Sequence, residues 1–458
     1  MIRLLALLAL LSCPSALLAQ NVGTAFSGAT TGDGSAPYYN PAAMALEQTW
    51  IELDLGAAFA HLEYAPDNGL EESSANPIRP FVTLGAFTHA LHHDLRLGVT
   101  VTIPQATGGT WDVDDGAGDI TRYYLKDATV FHLSTVPALS WAPIEQFSMG
   151  IGAQLTYGSV DSTLDKDFGS QLNQTAMSGS VDSPFPYADP RFAAPVDLQS
   201  SGFGAGAIVG LLARPVPQLA IGLSLHTPVR INTSGRLEVE YPESLRAAVA
   251  DILPSAELPD LNGSYEADLD LPWMVNVGLS VWPIPQLEIA ALYRWENTSS
   301  QPFWNVRIIE ATSPNIVDTA RLQAYDDRHF VQLRIAYRPI EQLWAAFFMS
   351  WQSNTVPDLT LSPNNIDFHR IEIGLAARIQ IVERFALIVQ VAHLILPSRS
   401  IDESLHRPLT EPSLANYNHP SPTGEYSGRA TGVRLGFIVP LGSDEAGDEA
   451  GDEAGDAP

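Results

Sequence analysis

Runs of about ten residues in which apolar side chains alternate with polar or small ones recur along most of this chain. Leu95, Leu97, Val99, Val101 and Ile103 alternate with Arg96, Gly98, Thr100 and Thr102. Val331, Leu333, Ile335 and Tyr337 alternate with Gln332, Arg334, Ala336 and Arg338, and Ile371, Ile373, Leu375, Ala377 and Ile379 with Glu372, Gly374, Ala376, Arg378 and Gln380. The same period holds from Ile51 to Phe59 and from Val433 to Val439. A period of two places successive side chains on opposite faces of a strand. A helix needs roughly 20 consecutive apolar residues to cross a bilayer, and no stretch supplies them, so any spanning falls to strands. Ten-residue strands, apolar on one face and mixed on the other, suit a barrel with lipid outside and a polar lumen inside.

The connections set the topology. Pro143-Ile144-Glu145-Gln146-Phe147, Pro215-Val216-Pro217-Gln218-Leu219, Pro283-Ile284-Pro285-Gln286-Leu287 and Pro339-Ile340-Glu341-Gln342-Leu343 are variants of one short turn between alternating runs. Proline suits such a place because it has no ladder N–H to lose. Shorter links at His89 to Asp94 and Ile381 to Phe385 occupy equivalent positions. Between these six turns lie long polar connections at about residues 65–77, 105–127, 161–200, 231–270, 300–325, 355–366 and 397–425. Six short turns and seven long loops predict an all-β, fourteen-stranded antiparallel transmembrane barrel over residues 49–441, with both ends on the short-turn, periplasmic side. Closure leaves no sheet edge unpaired in lipid. Trp50, Trp141, Trp282, Tyr337 and Trp344 fall at the predicted periplasmic strand ends, where an aromatic girdle belongs.

The ends of the chain read differently. Met1-Ile2-Arg3, an apolar run from Leu4 to Leu11 and small residues at Ala16 and Ala19 have the order of a secretory signal, assigned to residues 1–19. The one cysteine, Cys13, lies inside it, so the mature chain has neither disulfides nor thiolate metal sites; the alternative, a lipoprotein box that lipidates Cys13, changes processing and not the fold. A net charge of −28, from 24 basic and 52 acidic residues, argues against a nucleic-acid partner. Residues 442–458 are a Gly-Asp-Glu-Ala repeat that cannot bury a core and reads as a disordered acidic tail.

Residues 20–48 do not alternate. They are small, Gly-rich and turn-forming, compact enough to fold inside a lumen as a hatch. A Gly/Ala-rich mature N-terminus with Asp33 and then Asn40-Pro41-Ala42 resembles the FadL family of outer-membrane long-chain fatty acid and hydrocarbon transporters. The likeness continues at Asp270-Leu271-Pro272-Trp273, at Ser353 to Asp358 with Ser362-Pro363, Asp367 and Arg370, and at Gly424-Glu425-Tyr426. The family's usual glycine after the motif is Ala43 here, and the last strand runs on into the tail rather than ending the chain on an aromatic residue. The resemblance implies fourteen strands, a hatch gated around Asp33, Asn40, Pro41 and Ala42, ligand capture between the third and fourth loops, and lateral escape through a gap in the wall.

Candidate ligand chemistry follows. Phe168, Phe185, Tyr187 and Phe192 in the third loop, with Leu245, Val249, Ile252 and Leu253 in the fourth, are apolar enough to line a groove, or simply to pack the loops together. The latter four recur at helical spacing, with Pro242 and Glu243 before them and Pro254 after, predicting a short amphipathic helix. Arg96, Arg294, Arg334 and Arg378 fall on the lumen face, where each either meets a ligand carboxylate or pairs with wall acids such as Glu52, Asp54, Glu288 and Glu372. Neither Gly-x-Ser-x-Gly nor His-Glu-x-x-His occurs, so an enzyme is not expected, nor a cofactor or metal. The sequence thus reads as a monomeric bacterial outer-membrane channel, surrounded by outer-membrane lipids, for passive uptake of hydrophobic small molecules such as long-chain fatty acids. A porin for hydrophilic solutes is the rival.

Overall fold

The computed structural model describes residues 28–46, 50–67, 71–87, 94–113, 119–168, 189–252, 258, 260–311, 319–382, 385–405 and 422–440. The expected signal and acidic tail lie outside them. The strands in chain order are β1 (Trp50–Pro66), β2 (Ser73–Ala75), β3 (Ile78–Phe87), β4 (Leu95–Thr110), β5 (Asp127–Ile144), β6 (Phe147–Asp167), β7 (Ala193–Val216), β8 (Leu219–His226), β9 (Asn232–Val239) and β10 (Gly263–Asp268). They continue with β11 (Met274–Ile284), β12 (Leu287–Glu296), β13 (Phe303–Ala311), β14 (Thr319–Leu322), β15 (Arg328–Ile340), β16 (Leu343–Gln352), β17 (Arg370–Val382), β18 (Phe385–Ile401) and β19 (Gly424–Pro440).

Fourteen of these form a closed antiparallel ring: β1, β3 to β8, β11, β12 and β15 to β19. The ring shuts where β1 pairs with β19 along its whole length, from Trp50 opposite Pro440 to Pro66 opposite Gly424. Antiparallel ladders join each neighbouring pair of ring strands, the β3–β4 ladder being a short one, and closure of this kind is what a barrel in lipid requires. The outward positions are apolar and exposed, among them Leu55, Phe59, Ile151, Leu155, Ile335, Leu375 and Val433. In water such a surface would drive association; lipid receives it without cost.

The described tight turns fall where the sequence places them, at Ile144/Phe147, Val216/Leu219, Ile284/Leu287 and Ile340/Leu343. The long connections hold more regular structure than expected. β6 and β7 stay paired as far as Asp167 and Ala193, well beyond the ten residues that a bilayer needs. The fourth loop carries β9, a helix and β10, and the fifth carries the β13–β14 hairpin; β9, β10 and β13 hydrogen-bond in series and extend the wall from β7.

Two expectations about side-chain direction are corrected. Trp141 and Tyr337 face outward as girdle residues do, but Trp282 and Trp344 share the parity of buried Ser280 and Ala346 and pack inward against the hatch end of the lumen. The alternation in β4 also breaks. A bulge between Thr102 and Gln105 shifts the phase, so Ile103, read as outward, is buried.

Candidate ligand path and its hatch

Residues 28–46 sit inside the ring as two short helical turns, α1 (Ala36–Tyr39) and a 3₁₀ turn (Pro41–Leu46), with Ala36, Tyr38, Tyr39, Ala42, Ala43 and Met44 buried. So short a segment cannot pair all its own backbone groups, and the wall supplies the partners. Thr100 Oγ1 donates to the Gly34 carbonyl at 2.5 Å, Ser148 Oγ to the Ala42 carbonyl at 2.8 Å and Ser224 Oγ to the Tyr39 carbonyl at 2.5 Å. The Gly34 N–H donates to Glu52 Oε2 at 2.8 Å.

Asn40 is the hub of this segment. It is fully buried, and its Nδ2 donates to the carbonyls of Ala29, 2.6 Å away in the hatch, and Leu211, 3.1 Å away in β7. Its Oδ1 accepts from the Ala42 N–H at 3.1 Å, which orients the start of the 3₁₀ turn, and Pro41 has no N–H to satisfy there. Asp33 Oδ1 accepts from the N–H of Ser35 at 2.9 Å and from its hydroxyl at 2.5 Å, holding the turn before α1.

Lumen glycines make the fit possible, a signal that the sequence reading missed. A Cβ at Gly85 of β3, Gly210 of β7 or Gly222 of β8 would collide with Gly34, Asn40 or the Ala29 carbonyl. One at Gly150 of β6 would lie 2.5 Å from Ala42 N and the Pro41 carbonyl carbon. Each glycine lies on the lumen parity of its strand, so the pattern was readable in principle. Beside them, Arg434 of β19 forms an ion pair with Asp54 and faces Glu52 at 3.6 Å, bracing the seam next to the hatch.

Above α1 lies a cavity of 340 Å³. Tyr38 forms part of its floor; Pro104, Gln105, Val130, His132, Gln154, His226 and Met274 belong to its walls, and Leu269, Leu271, Phe303, Trp304 and Tyr325 close it on the long-loop side. Its lining charges are Asp268, Asp270, Glu296 and Arg328. Arg328 Nη1 donates to Glu296 Oε2 at 3.1 Å, both side chains being buried. Burial raises the Asp270 carboxyl above its ordinary range, although the Ile231 N–H donates to it at 2.8 Å.

The cavity reaches the wall where the wall is incomplete. β3 pairs with β4 only from Thr83–Phe87 to Gly98–Thr102, although β3 stays paired with β1 up to Ile78 and β4 with β5 up to Thr110. Among the described residues, the β3–β4 register therefore stops at Thr83 opposite Thr102, and the stretch beyond it forms a window in that ladder. Pro80 and Pro104 stand in this stretch without N–H groups, and the β4 bulge turns its backbone away. A bridge between Ala75 and Trp111 closes the window beyond. Pro104 and Gln105 edge both the window and the cavity.

The candidates taken from the sequence separate into groups. Phe168, Leu245 and Val249 join one buried cluster with Tyr241 and Leu261, and Phe192 packs against it. The Phe168 and Tyr241 rings meet edge-on, 5.2 Å apart. Leu245 and Val249 project from α2 (Glu243–Ile252), the helix expected there. These residues tie the third and fourth loops together over the barrel mouth; none of them lines the cavity. Ile252 ends the helix, while Phe185, Tyr187 and Leu253 lie outside the described residues.

None of the four lumen arginines lines the cavity. Arg334 Nη2 donates to Glu288 Oε1 at 2.6 Å, and Arg294 Nε donates to Asn276 Oδ1 at 2.8 Å while stacking over Tyr39 and Phe330. Arg96 and Arg378 are half-buried on the lumen face. Arg328 occupies the cavity position instead; it shares the parity of Arg334, and the expectation passed over it because it stands at the first residue of β15.

A closed fourteen-strand barrel, with its own N-terminal segment inside it and a cavity of mixed polarity that borders the end of the β3–β4 register, defines a channel of the outer-membrane transport class. Solved structures share the fold: a Pseudomonas aeruginosa FadL homologue (16% identity, TM-score 0.74, 93% of this chain and 100% of the other) and the Pseudomonas putida toluene transporter TodX (12%, 0.64, 91% and 96%). The Ralstonia pickettii toluene transporter TbuX is a third (12%, 0.60, 90% and 94%). A search of curated proteins finds no match. Residues 15–333 match the family described as outer membrane protein transport protein (OMPP1/FadL/TodX), and the chain belongs to that family.

Proposed function

We propose that this protein admits hydrophobic small molecules through the outer membrane by capture at the mouth, lodging in the 340 Å³ cavity and lateral release through the β3–β4 window. The observation that carries the reading is that Pro104 and Gln105 line the cavity and lie just beyond Thr102, where the β3–β4 register stops, so the cavity and the window share these two residues and a ligand has a route between them that does not cross the hatch. The third and fourth loops, joined through Phe168, Phe192, Leu245 and Val249, form the capturing mouth; Phe185, Tyr187, Ile252 and Leu253 belong to the same proposed surface. The hatch, held at Asn40, Pro41, Ala42 and Asp33, gates the lumen. The tight turns and both chain ends face the periplasm, and the protein acts as a monomer, driven by the ligand's concentration gradient. Long-chain fatty acids, expected from the family resemblance, and aromatic hydrocarbons, named for two of the similar structures, are the ligand classes considered. A carboxylate in the lumen would meet Arg96, Arg294, Arg334 or Arg378.

The test compares cells and proteoliposomes carrying the full mature protein with a variant lacking residues 20–44. Entry of labelled oleate or toluene without passage of a small sugar, and sugar passage in the variant, supports a hatch-gated hydrophobic channel. Free sugar passage through the intact protein, with no preference for either hydrophobic compound, overturns it in favour of a porin.

A further inference from the structure

We infer that the cavity selects neutral hydrophobic molecules and rejects the carboxylate form of an otherwise matched ligand. The inference rests on the channel reading above and names the substrate class of the same cavity. Among the described residues, its lining contains three acids, Asp268, Asp270 and Glu296, against one cation, Arg328. That cation is already committed, since its guanidinium donates to Glu296 at 3.1 Å and faces Thr355 Oγ1 at 3.5 Å. Arg370, at the start of β17, likewise has a carboxylate beside it, Asp367 at 3.9 Å. A ligand carboxylate entering here would lose its water, find no uncommitted lining cation and approach like charges.

The rest of the lining suits an uncharged ligand. Tyr38, Phe303, Trp304 and Tyr325 provide aromatic surface. The Nδ1 atoms of His132 and His226 are buried without hydrogen-bond partners, and an ordinary imidazole is mostly neutral above pH 7. Two neutral imidazoles in the lining add no positive charge to offset the three acids. The sequence adds no cation in the remaining stretches of the third, fourth and fifth loops: residues 169–188, 253–257 and 312–318 contain neither Lys nor Arg.

The experiment titrates the full mature protein, held in amphipol at pH 8, with matched pairs: 4-methylbenzyl alcohol against 4-methylbenzoate, and decanol against decanoate. Trp304 quenching and calorimetry read binding. The neutral member of each pair binds at least tenfold more tightly, and Glu296→Gln, which frees Arg328, narrows or inverts the ratio. Asp268→Asn, which leaves the buried ion pair intact, reduces the ratio in the same direction and serves if E296Q loses its heat-modifiable folded band. Equal or tighter binding of the acids by the parent protein overturns the inference while leaving the channel reading standing. Failure of all four compounds to bind overturns both.

Discussion

Gly210→Ala tests whether the hatch is held by fit to the wall. A Cβ at this position would occupy the space of Asn40 Oδ1, which is packed between β7 and the 3₁₀ turn. Asn40 must then move and give up three hydrogen bonds, to the Ala29 carbonyl at 2.6 Å, to the Leu211 carbonyl at 3.1 Å and from the Ala42 N–H at 3.1 Å. At about 1 kcal/mol net for each, the hatch loses about 3 kcal/mol of docking free energy. With 1.4 kcal/mol per factor of ten, its open population rises by about a hundredfold. The strand itself does not suffer, because alanine is less costly than glycine in a strand where φ is ordinary. Planar-bilayer recording should therefore show frequent large openings in the variant, with the urea midpoint of the barrel unchanged or slightly raised. The double variant with Asn40→Ala should be no leakier than N40A alone, because the collision disappears with the side chain. Parent-like conductance in G210A, or additive effects in the double variant, would refute the reasoning.

Three further outcomes follow from the geometry. Thr83 and Thr102 face each other at the last β3–β4 pair, their hydroxyls 3.4 Å apart, so a Thr83→Cys/Thr102→Cys disulfide should pin the edge of the window and cut ligand uptake several-fold until reduced; unchanged uptake with the disulfide formed would remove the lateral route. Arg434→Met strands Glu52 and Asp54 without their cation and should cost about 3–5 kcal/mol in a urea folding assay, with much of the loss recovered when E52Q and D54N are added. At the barrel mouth, Asp189 accepts from the Arg191 side chain and N–H, which holds its carboxyl below the usual range. A lowered folded pKa means that this contact's support is complete above the unfolded value, near 4, and is lost as pH falls through the folded one. Amide exchange of residues 190–193 should thus be level from pH 8 to 5, after correction for intrinsic rates, and rise relative to D189N only below about pH 4.

Much of the architecture was legible in the chain. Period-two runs such as Val331–Tyr337 specify strands, the Pro-x-x-Gln turns specify which ends are joined tightly, and their count leads to fourteen strands and closure. Residues 20–48 stood out as a Gly-rich segment outside the alternation, Asn40-Pro41-Ala42 within it through its resemblance to the FadL family's motif, and the fourth-loop helix because Leu245 and Val249 keep helical spacing. These are local properties, written in neighbouring residues.

What only the tertiary structure decided depends on pairs distant in sequence. Periodicity gives two faces without naming them at each end, so Trp282 and Trp344 turned inward, and a bulge reversed the phase at Ile103. The window needed the β3–β4 register to be seen stopping at Thr83 opposite Thr102 while both outer registers ran on. The charge of the cavity needed Arg328 and Glu296 to be brought together from the starts and ends of different strands. The physical reason is the barrel's stagger: it sets which side chains meet across the lumen, and no single strand contains that information.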